Sequence, residues 1–96
     1  MNAQTFDTEM DAGAAIPLPD VGATGDDLLR MGLLYSTGQG GAPLDLVSAH
    51  MLFNLAALRG SEEAKRYRRE LSDEMDRDSV AEAQRAAREW LVKAAA

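Results

Sequence analysis

Between Gly38 and Pro43 the chain carries Gly38-Gln39-Gly40-Gly41-Ala42-Pro43, a stretch no helix can cross. Glycine visits positive φ without steric cost, and proline removes a backbone donor and clashes with the preceding turn. What lies on either side must therefore be two separate elements joined by a tight turn. The first is predicted to start after Thr24, whose hydroxyl can accept a backbone N–H while Asp27 supplies the acidic half of a cap, and to run to about Ser36. The second starts at Asp45 and ends near Arg59, with Gly60 as its left-handed stop.

Ser61 follows at once as the N-cap of a third helix, with Glu62 and Glu63 at the positive end of its dipole. Along it Ala64, Tyr67, Leu71 and Met75 recur at spacings of three and four. Asp76 caps a fourth helix, in which Val80, Ala83, Ala87, Trp90 and Leu91 keep the same period. Everything after residue 24 reads as helix and nothing as strand, so the expected class is all-α.

The chain has 96 residues, enough for one small domain. It has no cysteine and a single histidine, which removes thiolate chemistry and most transition-metal sites. Ten bases against sixteen acids leave a charge of −6, the wrong sign for a binder of the nucleic-acid backbone. That charge is carried by residues 1–27, which hold Asp7, Glu9, Asp11, Asp20, Asp26, Asp27 and no base. Residues 1–23, rich in Ala, Gly, Pro and Asp, read as an acidic, flexible tail. Within it, Ile16-Pro17-Leu18-Pro19 is an extended apolar segment able to lie in a groove of its own domain or of a partner. No apolar run is long enough to span a membrane, and the N-terminus lacks the pattern of a secretory signal, so a cytoplasmic protein is expected.

Met31-Gly32-Leu33-Leu34-Tyr35-Ser36-Thr37-Gly38-Gln39-Gly40, followed by Asp45, Ala49, Phe53, Ala56-Ala57 and Gly60, resembles the Sel1-like repeat, a relative of the tetratricopeptide repeat. The resemblance covers about residues 27–64. It implies a short helix-turn-helix repeat domain over residues 24–96, with about four helices. Residues 61–95 would form a C-terminal capping helix pair, because Arg69 and Ser72 stand where a second repeat would place its glycine and tyrosine. Gly32 inside a helix costs about 1 kcal/mol relative to alanine, which implies close approach by the second helix, with Ala49, Ala56 and Ala57 small on the opposing side. Repeat units of this kind need neighbours to bury a continuous core, so extra stability is expected from self-association or from the tail packing back on the body.

The same resemblance places Asp26, Leu29, Leu33 and Ser36 on the concave side of the first helix. Leu29 and Leu33 would anchor a partner's apolar side chain, with Arg30 nearby to orient a carboxylate or carbonyl; the plainer alternative is that both leucines are core. His50 has no Glu or His four residues away and reads as a surface or partly packed side chain. The glycine-rich turn lacks the Lys-Ser/Thr ending of a phosphate-cradling loop. Lys65, Arg66, Arg68 and Arg69 form a basic cluster, but Glu62–Arg66, Arg66–Glu70 and Arg69–Asp73 stand at salt-bridge spacing, which suggests a self-paired, solvated face. The other reading is that these bases hold an acidic N-terminal arm. Trp90 closes the base of the helical core with Leu71 and Leu91, or anchors an interface.

No catalytic, metal-ligating or cofactor-binding set emerges. The expected function is a non-catalytic protein–protein interaction module that binds a protein or peptide through a helical groove around Leu29, Arg30, Leu33 and Ser36. The alternative is a structural protein whose helical faces form a homo-oligomer.

Overall fold

Each of the four predicted capping residues starts a helix. The computed structural model describes residues 18–95. Thr24 and Asp27 form a reciprocal capping box, the Thr24 hydroxyl accepting from the Asp27 amide and the Asp27 carboxylate from the Thr24 amide, both at 3.1 Å. This opens α1, Gly25–Thr37. Asp45 accepts from the Ser48 amide at 3.0 Å and opens α2, Leu46–Leu58. Ser61 caps α3, Glu62–Glu74, by accepting from the Ala64 amide at 3.2 Å. Asp76 accepts from the Ser79 amide at 2.7 Å at the start of α4, Arg77–Ala95. Among the described residues there is no strand, and no helix is long and apolar enough to cross a membrane. The fold is all-α.

The glycine-rich turn between α1 and α2 contains one short 3-10 turn, Gln39–Gly41. Gly38 leaves α1 at φ +72°, and its amide donates to the Leu34 carbonyl. That left-handed exit is the conformation for which glycine is required.

Helices α1 and α2 form an antiparallel pair clasped at both ends. At one end the Asp45 amide donates to the Tyr35 carbonyl at 2.9 Å. At the other, a Cβ on Gly25 would stand only 2.8 Å from the Arg59 carbonyl oxygen and 3.3 Å from that of Ala56. The backbone-to-backbone approach expected of Gly32 therefore occurs about two turns earlier, at Gly25. Gly32 does face α2, but against an aromatic ring: its missing Cβ would lie 2.6 Å from Phe53 Cε1. Phe53 in turn stacks on Tyr67 of α3, with ring centroids 5.4 Å apart. The glycine is a seat for this ring, and the alanines of α2 are not its partners.

Helix α2 is the common partner of the other three. Helix α2 is apolar around most of its circumference, and eight of its 13 residues are buried. Helices α1, α3 and α4 each pack on α2, while α3 and α4 make hardly any close approach to each other. Helix α4 lies close to α2 because Ala83 and Ala87, both at most 1% exposed, present only methyl groups on its inner face. Ala64 does the same for α3.

The tail reading needs correction for residues 18–23; residues 1–17, which include Ile16 and Pro17, lie outside the described residues. Pro19 is buried, and its carbonyl accepts from Trp90 Nε1 at 3.0 Å. Arg59 donates to the carbonyls of Val21 and Ala23 at 2.7 and 2.8 Å, and its guanidinium sits 5.2 Å from the centroid of the Trp90 ring. The segment is thus part of the body, held by one indole and one guanidinium. Trp90, 5% exposed, belongs to the core.

Candidate functional site

The four residues expected to form a partner groove do not share one environment. Leu29 is 8% exposed and packs in the core, so it supports the surface without lining it. The reason is the apolar circumference of α2, which buries the stripe of α1 that faces it. Arg30 is exposed, and its guanidinium is tied to the Asp27 carboxylate at 2.7 Å, beside the α1 cap. The Thr24 amide and hydroxyl, and then Arg30, hold the Asp27 carboxyl below its ordinary value. Leu33 and Ser36 are half-buried, and the Ser36 hydroxyl donates to the Leu33 carbonyl at 3.2 Å.

Ser36 does line a cleft. Helices α1 and α3 stand apart on either side of α2, and the space between them, about 150 Å³, is bounded by Ser36, Phe53, Tyr67, Glu70, Leu71 and Glu74. Its aromatic surface is the half-buried Tyr67, with the buried Phe53 stacked beneath it, and its α3 rim carries the two carboxylates. A cleft of this volume suits one side chain of a partner. No family model, curated protein or solved structure matches the chain. The chemistry of the surface must therefore be read from its own geometry.

A second opening, on α3, has no counterpart in the sequence patterns. On the far side of α3, the space between α2, α3 and α4 opens a polar cavity of about 360 Å³ lined by His50, Asn54, Lys65, Arg68, Arg69, Ser72, Asp73 and Gln84. His50 is not a surface side chain: it is 1% exposed, with Nε2 at 2.8 Å from the Ser72 hydroxyl. Ser72 donates its one hydroxyl proton to the Arg68 carbonyl at 2.9 Å. Nε2 must then carry the proton of the His50–Ser72 bond, which assigns the neutral Nε2–H tautomer. Nδ1 is buried without a hydrogen-bond partner among the described residues.

The basic face of α3 is also less self-paired than its spacing predicted. Arg66 and Glu70 approach to 3.8 Å and Lys65 pairs with Glu62 at 3.1 Å, both exposed contacts of small energetic weight. Glu62–Arg66 and Arg69–Asp73 do not pair among the described residues. Arg68 turns inward and donates to Asn54 Oδ1 of α2 at 2.8 Å. His50 and Asn54, one turn apart on α2, thus each hold a residue of α3. Neither contact has a signal in local spacing, since Ser72 lies 22 residues from His50.

This environment makes stability depend on pH. Burial first, and then the charge of Arg68, hold the His50 imidazole below its ordinary value of 6.5. The unfolded chain binds a proton near that value, whereas the folded chain does so only at lower pH. Stability from this group is complete above 6.5 and is lost as pH falls through and below it, at up to about 1.4 kcal/mol per pH unit. His50→Gln, whose amide can still donate to Ser72, is expected to flatten this slope in urea midpoints measured across the interval. The Asp27 and Asp76 carboxyls, held below 3.8 by their capping bonds, lose their contribution only at lower pH, so the two effects separate.

Proposed function

We propose that the chain is a non-catalytic protein–protein interaction module of Sel1-like type, in which α1 and α2 form one repeat and the cleft between α1 and α3 takes an apolar side chain of a protein or peptide partner. The observation that carries this reading is the cleft itself: two helices held apart over an aromatic floor. Aromatic surface at the base of a cleft is the chemistry on which partner side chains gain most from desolvation. Ser36 lines it from α1, while Glu70 and Glu74 offer acceptors to a partner backbone or a basic neighbour. Leu29 braces α1 from beneath, and Arg30 belongs to the capping region.

The reading as a homo-oligomer draws on six large apolar side chains that are exposed among the described residues, including Leu44 at 66% and Val92 at 71%. They are divided among residues 18–21, α1, the turn, α2 and α4 instead of gathering on one helix face, which favours the interaction reading.

The test is a peptide-library selection on the full chain, followed by Kd measurements with Ser36→Trp. The indole would fill the cleft from its rim. Enriched peptides are expected to carry a common apolar residue and to bind Ser36→Trp at least about tenfold more weakly, a loss of about 1.4 kcal/mol. Equal affinity for both chains, with both folded by circular dichroism, would refute the assignment.

A further inference from the structure

We propose that the polar cavity between α2, α3 and α4 is a binding site for an oxyanion, a carboxylate or phosphate group, held by Arg68, Arg69 and Lys65 with Gln84 lining it from α4. The site lies on the other side of α3 from the peptide cleft and does not rest on that function. It starts from an oddity of α2. Beyond its first turn this helix is apolar except at His50 and Asn54, which stand one turn apart on a single face. Placing polar groups on the most buried helix of a small domain costs stability unless each is bonded. Here each is bonded to α3 through one atom, while His50 Nδ1 has no partner among the described residues.

A seam whose only task was to orient α3 on α2 would need just the Asn54–Arg68 and His50–Ser72 bonds. The cavity has more. Arg69 makes no ion pair among the described residues, although Asp73 is one turn away. Lys65 stands at the same opening with only the exposed Glu62 as partner. The Asn54 carbonyl fixes one nitrogen of Arg68, which leaves the rest of the guanidinium pre-oriented toward the cavity it lines. Three cations therefore face the space against one lining carboxylate, Asp73. A guanidinium held by a neutral amide keeps its full charge, and its planar fork suits the paired oxygens of a carboxylate or phosphate. The volume of about 360 Å³ exceeds what a bare ion needs and falls in the range of small-ligand pockets, so the oxyanion is the anchoring group of a larger molecule.

His50 is the reporter and not a ligand, because its Nε2–H is committed to Ser72. As the chain's single histidine, its ring protons can be followed by NMR without ambiguity. The full chain is titrated with inorganic phosphate and, separately, with succinate. One or both are expected to shift the His50 signals saturably in the millimolar range and to move its titration toward higher pH, and the tighter of the two identifies the group preferred. Arg69→Gln and Arg68→Gln should each weaken binding about tenfold, whereas Arg77→Gln, outside the cavity, should leave it unchanged. Arg69 is exposed, so its variant keeps the fold even if loss of the Asn54 bond disturbs Arg68→Gln. Shifts that fail to saturate with both anions, or that weaken equally in Arg77→Gln, would overturn the assignment.

Discussion

Trp90→Ala is expected to lower the free energy of unfolding by about 3–5 kcal/mol, a large part of the roughly 5–15 kcal/mol available to a domain of this size. The indole is buried on the inner face of α4, donates to the Pro19 carbonyl at 3.0 Å and lies under the Arg59 guanidinium. Removing it opens a cavity, releases the Pro19 carbonyl and takes away the ring beneath Arg59, which leaves residues 18–23 held only by the Arg59 bonds to Val21 and Ala23. Trp90→Phe keeps most of the apolar area and deletes only the N–H, and should cost on the order of 1 kcal/mol. Urea unfolding separates the two variants, and a cost below about 1 kcal/mol for Trp90→Ala would show that α4 is not anchored through this ring.

Gly25→Ala should destabilise by about 1–3 kcal/mol, although helix propensity alone would favour alanine by about 1 kcal/mol. The sign is the informative part. At Gly25 the new methyl would meet the Arg59 and Ala56 carbonyl oxygens, backbone atoms at the end of α2 that cannot yield without loosening the α1–α2 pair. At Gly32 the obstacle is the Phe53 ring, which the Tyr67 stack holds in place. Gly32→Ala should therefore be as costly alone and partly relieved by Phe53→Leu, with a coupling of about 1 kcal/mol in a double-mutant cycle. A stabilised Gly25→Ala variant would mean that the two helices do not meet where the structure has them meet.

What was legible in the sequence follows the range of the interactions involved. Thr24, Asp45, Ser61 and Asp76 act on amides three residues away, so each helix start could be read directly, as could the turn at Gly38. The inward stripes of α3 and α4 are equally local, and Ala64, Leu71, Ala83, Ala87 and Trp90 are all buried. Pairings across helices were not legible. Gly32 signals a close neighbour without naming Phe53, and nothing near Arg59 announces that it will hold residues 21 and 23. His50 looked isolated because its partner belongs to α3. Of the expected groove, Ser36 reaches the cleft, but Tyr67, Glu70 and Glu74 come from a helix whose placement no periodicity specifies.

Since Leu46–Leu58 is the shaft to which the other three helices are separately fastened, the molecule has no independent second layer. Peeling away α1, α3 or α4 would bare one strip of the shaft while the remaining two keep their seats. Amide protons within α2 should accordingly be the slowest to exchange with solvent, and the outer helices should open one at a time. A domain of this kind can lend out one flank, to a ligand or to another protein, without surrendering its centre.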